Sequence, residues 1–389
     1  MKKGWDRSTI GNYCEVIAGQ SPQGKFYNGD GEGMPFYQGK KDFGDRFIKA
    51  PTTWTTETTK TARKDDILMS VRAPVGPVNF ATEDICIGRG LAAIRSRGQL
   101  DVDFLFYQLL HLQPEIAGKE GAVFASINKS EIVALPIAVG PLPEQQRIVG
   151  ILDEAFAGLA TAKANAEKNL QNARALFESH LNAVFSRRGE GWVEKKLGDI
   201  CGFVRGPFGG SLKKSIFVAD GYAIYEQKHA IYDQFDEVRY FIDEAKFKEM
   251  KRFELRPNDL IMSCSGTMGR VAIVPVGIKR GIINQALLKL TPTANISKAF
   301  LKFWMESEAF QDALKEYSGG AAIQNVASVK VLKEIRIPLP SLVEQARIVE
   351  SIKSFSTETQ RLESFYQRKL AALEELKKSL LHQAFAGEL

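Results

Sequence analysis

No stretch of the 389-residue chain approaches the roughly 18 consecutive apolar residues that a membrane helix needs. Its opening, Met1-Lys2-Lys3-Gly4-Trp5, lacks the apolar run of a secretory signal. The expected location is the cytoplasm, with no membrane partner. Cysteine is scarce: Cys14, Cys86, Cys201 and Cys264 form no CxxC, and the four histidines are isolated. Neither a structural zinc site nor a disulfide framework is expected. Catalytic equipment is missing too. Gly39-Lys40-Lys41 lacks the upstream glycine and the hydroxyl residue of a phosphate loop, and Gly88-Arg89-Gly90 lacks a third glycine. No Asn/Asp-Pro-Pro-aromatic run of the amino-methyltransferase kind occurs. Glu249-Met250-Lys251, with Asp243 upstream, has the Glu-x-Lys spacing of many metal-dependent nucleases, but its charged surroundings read as a solvated helix face. No catalytic residue and no metal ligand is expected.

What is present is a soluble composition, 44% hydrophobic and 25% charged, on a chain long enough for two domains. The net charge of +6 is unevenly placed. Lys+Arg against Asp+Glu runs 17 to 16 over residues 1–140, 6 to 6 over 141–190, 22 to 17 over 191–340 and 7 to 7 over 341–389. The surplus falls in the first and third segments, which a polyanion would touch.

The same segments repeat. Pro143-Glu144-Gln145-Gln146-Arg147-Ile148-Val149 returns as Val343-Glu344-Gln345-Ala346-Arg347-Ile348-Val349, and the offset of 200 residues persists to Phe185 and Phe385. Trp5, Gly11 and Cys14 match Trp192, Gly198 and Cys201. Asp66-Ile67-Leu68-Met69-Ser70 matches Asp259-Leu260-Ile261-Met262-Ser263. The chain reads as domain (1–143), helix (144–187), domain (188–340), helix (341–389). Runs such as Ile67–Met69, Ile85–Ile87 and Val271–Val274 are bounded by turn residues, as strands are. Helical stretches are expected near Asp103–Leu112 and Ser297–Tyr317, giving two mixed α+β domains.

Residues 144–185 and 344–385 lack proline and favour a helix. Alternating steps of four and three predict a coiled-coil seam. The second helix contributes Ile348, Ile352, Phe355, Leu362, Leu373, Leu376 and Leu380, bulky residues. The first contributes Ile148, Leu152, Leu159 and Leu176 among alanines. Large against small predicts that the two helices pack on each other; running antiparallel, as an antiparallel coiled coil, they would make the duplication a pseudo-twofold repeat.

Between the framework residues lie polar loops that differ from one repeat to the other. Gln and Arg can address base edges bidentately, whereas Lys and Ser mostly hold phosphates. The candidates for DNA contact in the first repeat are Gln20, Gln23, Lys25, Gln38, Lys40, Lys41, Arg72 and Arg89. Those in the second are Lys213, Lys214, Gln227, Lys228, His229, Ser265, Thr267, Arg270 and Gln285.

With these motifs the chain resembles the specificity subunits of type I restriction–modification enzymes. The resemblance spans the whole chain. It rests on the opening Trp192 to Cys201, the Leu-Pro…Glu-Gln-x-Arg-Ile-Val junctions, and the ending Ser379 to Leu389. It implies a noncatalytic subunit whose two target recognition domains each read half of a bipartite double-stranded DNA target. It further implies methyltransferase subunits, expected in two copies, docked on the helices, and a restriction/motor subunit. S-adenosylmethionine, magnesium and ATP are expected on those partners and none on this chain. The first repeat departs from the family's opening, since Ser8 to Cys14 follows it only loosely. Two rivals are a single-chain nuclease built on Glu249 and Lys251, and a coiled-coil scaffold joining two protein-binding domains.

Overall fold

The computed structural model describes residues 4–117, 126–187, 189–316 and 328–389. Tyr317, the expected end of one helical stretch, and residue 188, the expected start of a domain, lie outside them. The chain divides into two compact units. The first comprises residues 1–167 and 367–389, the second 168–366.

Each unit is a mixed α/β body, and the four strands of its antiparallel sheet recur in the same order. In the first, an antiparallel sheet has the order Cys14–Ala18, Leu91–Ser96, Ile67–Ser70, Val78–Phe80. In the second the order is Cys201–Arg205, Leu287–Pro292, Leu260–Ser263, Val271–Ile273. The inner strands Ile67–Ser70 and Leu260–Ser263 are apolar up to their terminal serine rather than alternating, because both of their faces are covered. Ile67 and Met69 point into one core with Ile94 and Phe104, while Leu68 points into another with Leu91 and Ile87. Leu260 and Met262 divide from Ile261 in the same way. Side chains that alternate along a strand thus serve two cores.

A mixed sheet, five-stranded in the first unit and four-stranded in the second, accompanies each antiparallel one. Its parallel pair is Met34–Tyr37 with Ile85–Ile87 in the first unit and Tyr222–Tyr225 with Gly281–Ile283 in the second. The repeated Asp at 66 and 259 also has a structural cause. Each is buried at a strand start, and its Oδ2 accepts the backbone N–H of Arg63 (2.7 Å) or Arg256 (2.9 Å) across the turn before it. Asp65 and Asn258 take the left-handed conformation in those turns, at φ 68° and 72°.

Two helices of 45 residues, Leu142–Ser186 and Leu342–Ala386, cover the proline-free stretches 144–185 and 344–385, start two residues before each, and belong in part to both units. In the first unit Lys163 meets Glu374 at 2.8 Å and Arg147 donates to the Leu389 carbonyl at 2.9 Å. In the second, Arg174 meets Glu363 at 3.0 Å and His180 stacks on Phe355 at 4.3 Å. Within each unit, therefore, the two helical segments run antiparallel. Ile148, Leu152, Leu381 and Ala384 complete the first unit's main core, and Leu181, Phe185, Val349 and Ile352 complete the second's.

The Glu-Gln junction motif is explained by a buried amide. Gln145 donates to the Gly140 carbonyl (2.8 Å) and accepts from the Asp101 N–H (2.8 Å). Gln345 donates to the Pro340 carbonyl (3.0 Å) and accepts from the Ser297 N–H (2.7 Å). Each glutamine joins the start of a long helix to the preceding strand's end and to the start of a domain helix. The adjacent Glu and Arg pair at i, i+3 on the surface.

The expected seam needs one correction. Ile148, Leu152 and Ile352 are buried, and Leu159, Ile348, Phe355, Leu373 and Leu380 are half-buried. Leu176, Leu362 and Leu376 are exposed, at 50%, 41% and 48%. The residue after each turns inward instead: Phe177 against the second core, Glu363 to Arg174, and Lys377 over the Phe156 ring at 5.2 Å. The polar ends of Glu363 and Lys377 flank the seam while their stems cover it. An apolar-only template assigns these two positions to the neighbouring leucines, Leu362 and Leu376.

Candidate nucleic-acid interface

Both units build the same platform from backbone hydrogen bonds. In the first unit the Gly88 N–H donates to Tyr37 O (2.8 Å), Leu91 N to Gly88 O (3.0 Å), Val71 N to Gly90 O (3.0 Å) and Gly19 N to Leu91 O (2.9 Å). In the second, Asn284 N donates to Tyr225 O (2.9 Å), Leu287 N to Asn284 O (3.2 Å), Cys264 N to Ala286 O (2.9 Å) and Gly206 N to Leu287 O (2.9 Å). By these bonds Gln38 corresponds in position to Glu226, Arg72 to Ser265, and Arg89 to Gln285. Glycine is required where the loop crosses the platform: a Cβ at Gly206 would lie 1.8 Å from Asn284 O, and one at Gly19 2.2 Å from Gly88 O.

In the first unit the platform opens into a cleft of about 510 Å³ lined by Gln38, Lys40, Lys41, Ser70, Arg72 and Arg89. Five of the eight candidates predicted for this repeat meet there. Gln38, Lys40, Lys41, Arg72 and Arg89 are exposed, and their side chains bond no other described residue. Arg46 and Arg95 of the same unit behave otherwise. Arg95 grips buried Asp66 at 2.7 Å, and Arg46 bridges Asp103 and Asp153 at 2.6 Å each. The cleft thus gathers donors left free, while neighbouring arginines are consumed by structure. Gln20, Gln23 and Lys25 sit on the adjoining loop, exposed and outside the cleft lining. Ser21 of that loop accepts the Arg89 N–H at 3.2 Å.

The second unit carries its candidates on the same frame. Gln285 and Thr267 are exposed and Ser265 is half-buried. Ser263 Oγ donates to Thr267 O (2.6 Å) and accepts from Arg270 N (3.0 Å), closing the 263–270 loop. Lys213 and Lys214 are exposed on a loop longer than its counterpart. Gln227 and Lys228 are half-buried in the first turn of the helix Gln227–Tyr232. His229 does not fit a DNA-contact role. It is 1% exposed, its Nδ1 accepts from Glu226 N (2.9 Å), and its Nε2 donates to Glu237 O (3.1 Å). The ring braces the helix start, and this pairing fixes its tautomer.

Tyr37 and Tyr225 anchor the platforms from beneath. The Tyr37 hydroxyl donates to Lys49 O (2.8 Å) and that of Tyr225 to Lys279 O (2.6 Å). Burial pushes both phenols up to about 12, with Glu83 and Asp42 adding to the effect at Tyr37. Cys14 lifts to about 11, and Cys201 and Cys264 to about 12, because all three thiols are buried. They act as core residues rather than nucleophiles.

The nuclease rival loses its residues to local structure. Asp243 caps the helix Glu244–Glu249 by accepting Lys246 N (2.7 Å). Glu249 pairs with Lys246 (2.8 Å) and Lys251 with Glu254 (3.3 Å). Among the described residues no group of three His, Cys, Asp or Glu could hold a metal, and no helix is long and apolar enough to cross a membrane.

One group escaped sequence reading. Arg46 bridges two carboxylates, and the Tyr107 hydroxyl donates to Asp153 at 2.5 Å, so the loop bearing Lys40 and Lys41 is clamped to the first long helix. Its partners lie 57 and 107 residues away, beyond any local pattern.

Known proteins share this architecture. A chain solved in a study of complex assembly and conformational transition of a type I R-M system superposes with a TM-score of 0.82 at 19% identity, covering 100% of this chain and 99% of that one. The HsdS subunit from Thermoanaerobacter tengcongensis superposes with a TM-score of 0.62 at 18% identity, covering 100% and 98%. In sequence, a chain named as the MjaX specificity subunit of a Methanocaldococcus jannaschii type I restriction enzyme is 40% identical over 174 residues, 44% of this chain and 40% of that one. The EcoBI specificity subunit of Escherichia coli is 32% identical over 142 residues, 36% and 30% of the two chains. These matches span less than half of either relative, whereas the MjaVIII specificity subunit is 21% identical across 99% of this chain and 93% of that one. The family described as type I restriction modification DNA specificity domain matches residues 2–170 and again 189–374. The chain belongs to that family, with two copies of its domain.

Proposed function

We propose that this chain is the noncatalytic specificity subunit of a type I restriction–modification complex, each unit reading one half of a bipartite DNA target. One observation carries the reading: two matching hydrogen-bonded platforms present different free donors, Gln38, Arg72 and Arg89 on one and Ser265 and Gln285 on the other. A shared frame with unlike side chains suits two readers of different words better than two copies of an enzyme site. The long helices set the spacer and receive methyltransferase subunits, and a restriction subunit completes the cleaving form. S-adenosylmethionine, magnesium and ATP belong to those partners, and the complex works on DNA in the cytoplasm. At about 1.5 Å per residue, 45 residues span roughly 68 Å.

Inserting one heptad into both helices should lengthen the preferred spacer and leave both half-site words unchanged in methylome sequencing of a host carrying the complex. Changed words with an unchanged gap would refute the ruler. DNA cleavage by the purified chain with magnesium alone, lost on Lys251→Ala, would favour the nuclease instead.

A further inference from the structure

The two platforms differ most tellingly at the tip of the turn between the parallel strand and the long antiparallel strand. Arg89 occupies it in the first unit and Gln285 in the second. Two backbone bonds hold the tip in the same way in both units. The residue before the tip donates to the tyrosine that ends the neighbouring strand, and the residue after it accepts from the Val71 or Cys264 N–H. Arg89 is pinned once more, its own N–H bonded to Ser21 Oγ at 3.2 Å. Gly90 packs so closely on Gln38 that an added Cβ would lie 2.3 Å from Gln38 O. A stiff base under a free, long side chain is what a base contact requires and what a phosphate contact can do without.

We propose that position 89, with its counterpart 285, is a specificity-determining position: Arg89 reads a guanine in one half-site and Gln285 an adenine in the other. The chemistry follows from the donor sets. An arginine fork matches the O6 and N7 acceptors of guanine, and a glutamine amide matches the N6 donor and N7 acceptor of adenine. Lys40 and Lys41, on the clamped loop beside the same cleft, hold the phosphates that fix the register. This assignment rests on the function proposed above and adds which residue writes which letter.

The test uses the full chain assembled with its methyltransferase subunits, with methylome sequencing and selection from randomised DNA as readouts. Arg89→Gln should change one base pair of one half-site from G to A. Gln285→Arg should make the reverse change in the other half-site, and each should shift preference at that base by roughly tenfold to a hundredfold. Either reciprocal change supports the proposal, so a folding failure of one variant leaves the other decisive. Unchanged words in both variants would overturn it, with the two-reader function still standing. So would a uniform weakening on all sequences with a shallower salt dependence, the mark of a phosphate contact. A wild-type complex that selects no bipartite target would instead bring down the function itself.

Discussion

The two units share a platform and a helix lock, yet fasten the loop beside the platform in opposite ways. In the first, a cation on the loop reaches two anions: Arg46 to Asp103 and Asp153, both at 2.6 Å. In the second, an anion on the loop reaches a cation: Asp233 to Lys302 at 2.6 Å, with Glu306 3.8 Å beyond. Arg46 also lies over the rings of Phe80, Phe106 and Tyr107, at 5.5 to 5.7 Å. Asp233 has no such bed and makes one surface pair. The difference separates what the fold demands from what each reader settles for itself. Placing the loop is required in both, but the chemistry that places it is free to invert.

The shared part should fail alike in both units. Gln145→Ala and Gln345→Ala each orphan a part-buried N–H just before a domain helix and a buried carbonyl. Each should cost about 1–3 kcal/mol, the largest effect of this series. Hydrogen exchange should show faster opening at 101–109 for the first variant and at 297–305 for the second, with the other unit's protection retained. Similar losses would confirm a common lock, and a tolerated alanine in one unit would show that its strand and core already suffice.

The divergent part should fail unequally. Arg46→Ala removes two charge-assisted bonds and leaves two carboxylates facing each other, about 1–2 kcal/mol after allowing for their partial exposure. Lys302→Ala removes one close pair, to Asp233 at 2.6 Å, and one long one, to Glu306 at 3.8 Å, with no aromatic bed beneath them, and should cost about 1 kcal/mol. Denaturant melts of the full chain give the ranking. The loop consequence is read by limited proteolysis near Lys40 and Lys41, which should accelerate in Arg46→Ala.

These contrasts show why some of the molecule was legible in sequence. Strands such as Ile67–Ser70 and Leu260–Ser263 announce themselves because both faces are buried, so every residue but the terminal serine is apolar. The Glu-Gln junction was visible as a repeat, although its cause, an amide buried between helix and domain, needed coordinates. Five cleft residues could be named because loops rich in Gln, Lys and Arg stand out between framework strands. Arg46 could not be separated from them, since whether an arginine is free or consumed depends on carboxylates 57 and 107 residues distant. His229 misled for the same reason: a polar residue in a polar loop, it turns inward to hold Glu226 and Glu237. The seam failed at Leu362 and Leu376 because a long polar side chain can cover a seam as well as a leucine can, and at Leu176 because the neighbouring Phe177 packs on the core in its place.

The smallest expected effect is a difference in acid sensitivity. His111 packs on Phe385 at 5.6 Å and near His382 at 5.8 Å, in the first unit. Burial, followed by the His382 charge, holds its pKa below the ordinary 6.5, while Glu115 partly opposes the shift. The unfolded chain therefore binds this proton more readily than the folded one. Stability contributed by neutral His111 is present above pH 6.5 and is lost as the pH falls through and below that value. In His111→Phe, the part of the acid destabilisation due to this residue should vanish. Melts of the variant and the wild type at pH 7.5 and 5.5 would measure it, with hydrogen exchange at 102–117 locating the loss in the first unit. An unchanged pH slope in the variant would mean that the end of the second long helix moves enough to solvate the protonated ring.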